Sequence, residues 1–187
     1  MLVLGIDPGT AVTGYGLVRD DRDAAAGSRR ESAGIGMRLV ECGVIRTRPR
    51  DSLATRLREI HEAVSELITR HRPDHLAVED IFYSRNVRTT LALGQARGVV
   101  LLAGETAGLL IHEFAPAEVK KAIVGTGSAT KEQVQFMLTR LLRLNAAPQP
   151  ADASDGVAAA VTFMLTAHLA VIRNEAAHVA GSVRRPR

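Results

Sequence analysis

Leu2, Val3, Leu4 and Ile6 form an apolar run that stops on Asp7, the pattern of a strand covered on both faces. Thr13–Val18 and Arg38–Thr47 have strand character with turn residues between them, so the opening reads as an antiparallel meander. Residues 20–37 mix charge with Ala, Gly and Ser and lack an apolar period, which predicts a long mobile hairpin loop.

Helical spacing takes over at Leu53, Leu57, Ile60, Val64, Leu67 and Ile68, with Asp51 placed to cap and Pro73 to close the helix. The apolar run from His75 to Phe82 predicts a further buried strand. A long helix is expected from about Val87 to Leu110, carrying Gly94, Gly98, Gly104 and Gly108. A short strand follows at Ile111–Phe114, then a helix opened by Pro116 and another capped by Thr130. Pro148 and Pro150 break the chain before a last helix that starts near Asp152 and runs through Val157, Val161, Met164, Leu165 and Leu169. Strands and helices intermix, so the class is α/β or α+β. One domain over 1–174 is expected, with a basic, disordered tail over 175–187.

Composition narrows this little: 187 residues, 46% hydrophobic and 24% charged, describe an ordinary globular domain. A single cysteine, Cys42, allows neither an internal disulfide nor a cysteine zinc cluster and suggests a reducing compartment. With no secretory pattern at the N-terminus, a cytoplasmic protein is expected. The apolar stretch around Val99–Ala103 is interrupted by Gln95, Arg97 and Glu105 and is far shorter than the roughly 20 residues of a membrane span, so no membrane partner is expected. The net charge of +4 fits an anionic partner without requiring one.

The candidate chemistry lies in four carboxylates. Asp7 ends the first strand, Glu79 lies among apolar residues in "LAVEDIF", and Asp152 and Asp155 share a helix face at a spacing of three. Each has an ordinary explanation taken alone. Asp-Pro-Gly is a turn signal, Glu79 can be an edge-strand charge, and acids are common at helix N-termini. Together, three separate segments deliver acid from apolar surroundings, and shared cations offset such desolvation. Hard divalent cations take oxygen ligands of this kind. The six histidines show no ligand spacing and no hydrolytic triad motif is present, so metal-assisted chemistry is the reading of the residues alone.

Four blocks, "LGIDPGTAVTGYGLV", "AVEDIFYSRNVRTTLALGQARGV", "VKKAIVGTGSATKEQVQ" and "PADASDGVAAAV", resemble the RuvC family of Holliday junction resolvases, in order and over nearly the whole chain. The resemblance implies a ribonuclease H-like α/β fold, a five-stranded mixed sheet flanked by helices on both faces, assembled as a homodimer. It implies an endonuclease of DNA recombination and repair that cuts four-way junctions by paired symmetric nicks, with Mg2+ or Mn2+ as cofactor and RuvA and RuvB as partners. The family's catalytic and metal-binding tetrad falls on Asp7, Glu79, Asp152 and Asp155. Phe82 and Asn86 match its Phe-x-x-x-Asn segment, whose ring stacks on a junction base, and Lys120 and Lys131 match its basic residues near the scissile phosphate. Two ions about 3.5–4 Å apart then flank one phosphate. The glycines around Asp7 are expected to keep the backbone low for a DNA strand, and the glycine-bearing helix to build the dimer. Two alternatives stand beside this. "DPGT" before "TGYG" also looks like the phosphate loop of actin-like ATPases and sugar kinases, though those proteins use two domains in chains far longer than these 187 residues. A non-catalytic junction-binding protein is expected to lack part of the tetrad.

Overall fold

The computed structural model describes residues 1–21, 36–80 and 86–182, with side chains as far as residue 170. In chain order the elements are β1 (Leu2–Asp7), β2 (Val12–Asp20), β3 (Met37–Arg46), α1 (Leu53–His71), β4 (His75–Glu79), α2 (Val87–Thr106), β5 (Leu110–Phe114), α3 (Pro116–Val124), α4 (Lys131–Leu141) and α5 (Ala151–Ser182). One five-stranded sheet has the order β3-β2-β1-β4-β5. The expected meander is present, with β1 antiparallel to β2 and β2 to β3, while β4 and β5 are parallel to β1. The expected hairpin loop over 20–37 lies mostly outside the described residues; β2 reaches Asp20 and β3 starts at Met37.

Two-residue alternation sends the strands' side chains into two cores. Leu2, Leu4 and Ile6 join Leu76 and Val78 under α1 and α2, packed on Ile60, Val64 and Val100. Val3 and Ala77 face the other way, under α5 with Val157, Ala160, Val161 and Met164, and under α3 and α4 with Val119 and Leu138. By the same alternation Asp7 shares the face of Val3, and Glu79 that of Ala77. Both carboxylates therefore emerge on the α5 side.

The closeness of α5 to the sheet corrects the expectation for Gly5 and Gly14. A Cβ on Gly5 would run into the Gly156 carbonyl oxygen and stand 2.5 Å from Ala160 N. One on Gly14 would strike the Asp152 carbonyl, and one on Gly156 would stand 2.5 Å from Tyr15 Cα. These glycines make room for a helix backbone rather than for DNA.

Other boundaries shift by a residue or a turn. Ser52, not Asp51, caps α1, its hydroxyl accepting from Thr55 N at 3.1 Å. Both residue types cap well, so sequence alone does not choose between neighbours. Helix α2 stops at Thr106, short of Leu110, and Gly108 follows in the left-handed region at φ +72. Gly104 and Gly108 thus do not share one helix face. Thr130 caps α4 as expected, in a reciprocal box with Gln133. Strand β4 ends at Glu79, short of the expected Phe82.

Helical backbone in α5 continues to Ser182, beyond the expected start of a disordered tail at 175. Ala176 and Ala177 are helix formers, which a search for apolar period does not register. Among the described residues, 151–170 of α5, not the stretch near Val99, are long and apolar enough to cross a membrane. Here that apolarity serves the core, since Ala153, Val157, Ala159, Ala160 and Val161 are fully buried.

Candidate active site

Strands β1 and β4 run side by side with Ile6 opposite Val78, so the next residues, Asp7 and Glu79, leave the sheet at one level. The first turns of α5 cross above them, which the glycine contacts make possible, and bring Asp155 to the same place. Helix α3 supplies Lys120 and the N-terminus of α4 supplies Lys131. These side chains line a cleft of about 240 Å³ with Pro116, Val119, Val134 and Ala158. Nothing in the sequence marks this apolar lining.

Of the eight residues expected at the site, the cleft takes five: Asp7, Glu79, Asp155, Lys120 and Lys131. Asp152 lies one helical turn before Asp155, outside the lining, and acts on Asp7 and Asp155 through its charge. Asn86 caps α2, its Oδ1 accepting from Arg88 N at 3.0 Å and Thr89 N at 3.3 Å, so its side chain has a place in the fold. Phe82 falls within residues 81–85, outside the described residues.

The electrostatics of the cleft are those of crowded acids. Burial, and then the charges of Asp155 and Asp152 against the opposing Lys131, push the Asp7 carboxyl up to about 6. Glu79 is pushed up to about 8, by burial first and then by Asp7 and Asp155. Burial also raises Asp155, although Lys131 Nζ donates to its Oδ2 at 2.7 Å and pulls the other way. For Lys131, burial favours the neutral amine, but Asp155, Asp152 and Asp7 outweigh it and raise the ammonium's pKa. Three carboxylates thus outnumber the two ammonium groups, Lys120 and Lys131, that line the cleft.

Such a donor set fits a hard divalent cation. Asp7, Glu79 and Asp155 offer only oxygen, with no histidine or cysteine in the lining. Among the described residues, no group of three or more His, Cys, Asp or Glu side chains stands as a ready-made cage. Asp155 is the carboxylate turned to a lysine.

A pH dependence of stability follows. Asp7 and Glu79 keep protons in the fold at pH values where the unfolded chain, with ordinary values of 3.8 and 4.5, has released them. The folded state binds more protons through that window, so stability is lost as pH rises from about 4 to 8. Melting curves without metal should show Asp7→Asn, which cannot titrate, gaining on the unaltered protein as pH goes from 5 to 8. Magnesium at pH 8 should narrow that gap. A gap independent of pH would contradict the assigned burial of Asp7.

Comparison with known proteins bears on the whole chain. The sequence pattern of one family, crossover junction endodeoxyribonuclease RuvC, matches residues 3–163. A protein of that description from Pelotomaculum thermopropionicum is 47% identical over 161 residues, covering 86% of this chain and 91% of its own. The Thermus thermophilus RuvC structure superposes with a TM-score of 0.79 at 34% identity, covering 91% of this chain and 97% of that one. T. thermophilus RuvC in complex with Holliday junction substrate gives a TM-score of 0.77 at 32% identity, covering 90% and 96%.

Proposed function

The chain belongs to the RuvC family of crossover junction endodeoxyribonucleases, and from that premise we propose that it resolves four-way DNA junctions by hydrolysis at the Asp7–Glu79–Asp155 cleft. The observation that carries this is the convergence of three carboxylates, delivered by two parallel strands and one helix, beside Lys120 and Lys131. The kinase-like alternative calls for two domains, whereas the strands of the described residues form one five-stranded sheet. The non-catalytic alternative predicts a broken tetrad, whereas all four acids are present.

Asp7, Glu79 and Asp155, with Asp152 behind them, are the residues that would hold two Mg2+ or Mn2+ ions. When bound, such ions supply charge against the phosphate oxygens and a water of lowered pKa. Lys131 starts from Asp155 and Lys120 from the rim of the cleft; each places an ammonium where charge develops on a phosphate. Val119, Val134 and Ala158 keep that wall of the cleft apolar, which strengthens every charge interaction within it. Phe82, in the segment after β4, is proposed to stack on a junction base, worth about 1–3 kcal/mol.

Paired cuts call for two such clefts related by a two-fold axis. Helix α2 offers a surface for this. Val87, Leu91 and Leu102 are 69%, 63% and 56% exposed along one stripe, and a Cβ on Gly98 would meet nothing within 4 Å. Gly104, expected on this surface, instead packs against Leu76 of the sheet. We assign the dimer to the stripe of Val87, Leu91, Gly98 and Leu102. Leu91→Asp should give a monomer by light scattering that makes single rather than paired nicks; a stable dimer would remove the stripe from the interface. Work beside branch-migration proteins RuvA and RuvB, in the cytoplasm, belongs to the same proposal.

The test of function is strand-resolved cleavage of a synthetic four-way junction beside a linear duplex of the same sequence. Magnesium-dependent nicks at symmetric positions on two opposing junction strands, with the duplex intact, are expected. Equal cutting of the duplex would refute junction selectivity.

A further inference from the structure

Arg97 lies midway along α2, next to the fully buried Ala96. Its side chain is 22% exposed, and its Nε is buried with no hydrogen bond of good geometry among the described residues. A cation in such a place is costly unless carboxylates face it. Two do. Nη2 is ion-paired with Glu113 Oε2, and Nε lies 3.3 Å from Asp80 Oδ1.

Those two carboxylates bracket the end of β4. Asp80 follows Glu79 directly, and its N–H donates to the Phe114 carbonyl at 2.8 Å. Glu113 stands opposite Val78 in the β4–β5 register, and Phe114 opposite Glu79. By alternation the side chains on either side of Glu79 point to the α2 face of the sheet, while Glu79 points into the cleft. One guanidinium thus spans the two strand ends from beneath, at the level where Glu79 leaves the sheet.

We propose that Arg97 is a positioning residue, holding the carboxyl ends of β4 and β5 together so that Glu79 keeps its place in the cleft, and tying that strand end to the helix that carries the dimer stripe. The inference rests on the cleft being the cutting site. Asp80 and Glu113 are 48% and 45% exposed, so as ion pairs they contribute little to stability. Position is another matter, because a displacement of about 1 Å at a reacting group can cost about a hundredfold in rate. Lysine supplies the charge without the planar fork that reaches two carboxylates at once.

The experiment is single-turnover cleavage of a labelled four-way junction in magnesium, with protein in saturating excess, beside junction affinity, dimer mass and melting temperature. Arg97→Met should slow cleavage at least about tenfold while affinity stays within about twofold and the dimer persists. Arg97→Lys should recover part of the rate. Glu113→Gln, on an exposed carboxylate, should also slow cleavage, and Arg97→Met/Glu113→Gln should be no slower than Arg97→Met alone. If Arg97→Met does not fold, Glu113→Gln and Asp80→Asn carry the test, and full rate in both overturns the inference. An unaltered chain that fails to cut brings down the functional reading and this inference together. An unaltered chain that cuts beside an equally fast Arg97→Met protein, or beside one that loses only affinity or stability, overturns the inference alone.

Discussion

Asp7→Asn should cut a four-way junction at least about a thousandfold more slowly than the unaltered chain, a loss of roughly 4 kcal/mol of transition-state stabilisation, while binding it almost equally well. Asparagine keeps the shape of the side chain and one of its oxygens, so packing at the end of β1 is preserved. The lost quantity is the charge that a divalent ion needs from its ligand. Removing a raised, buried acid also relieves the desolvation that pushes Asp7 up to about 6, so the variant should melt no lower than the parent at neutral pH. A slow but unstable variant would point instead to a structural role. Single-turnover rates and gel-shift affinities on one preparation separate these outcomes, and an undiminished rate at saturating magnesium would remove Asp7 from the site.

The second large effect concerns stability. Gly5→Val inserts a branched side chain where α5 lies against β1, and the nearest obstacles are the backbone atoms Gly156 O and Ala160 N, which cannot swing aside. Overpacking of this kind costs about 1–3 kcal/mol or more, and for a chain of this length each kcal/mol lowers the melting temperature by roughly 2–4 °C. A fall of about 10 °C is expected in the absence of DNA. Had these glycines made room for a DNA strand, the same change would have raised stability, because valine is the better strand former by up to about 1 kcal/mol. A protein that melts normally but binds junctions poorly would restore that reading.

These two residues also mark how far the sequence could be read. Asp7 and Glu79 were legible because a carboxylate closing an apolar strand is anomalous without knowledge of its surroundings. The unbroken apolar runs Leu2–Ile6 and Leu76–Val78 were enough to give strands buried on both faces. The purpose of Gly5 and Gly14 was not legible, since what approaches them is a helix more than 130 residues further on. The Lys131–Asp155 bond likewise joins residues 24 apart on two helices whose packing no local pattern specifies. Lys131 came from the resemblance alone. Arg97 appeared as a mere interruption of a hydrophobic helix, because its meaning depends on β4 and β5 ending beneath it. Asn86 shows the opposite case, where a motif match and a local cap fall on one residue and the structure displays the cap.

The central claim is that each protomer's acidic cleft makes one cut of a pair. Dimers with one unaltered protomer and one carrying Asp7→Asn, purified by separate tags and mixed with a junction labelled on all four strands, test it most directly. The account predicts junctions with a single nick, placed where one of the two normal cuts falls and left unresolved. Paired nicks at the rate of the unaltered dimer would contradict it.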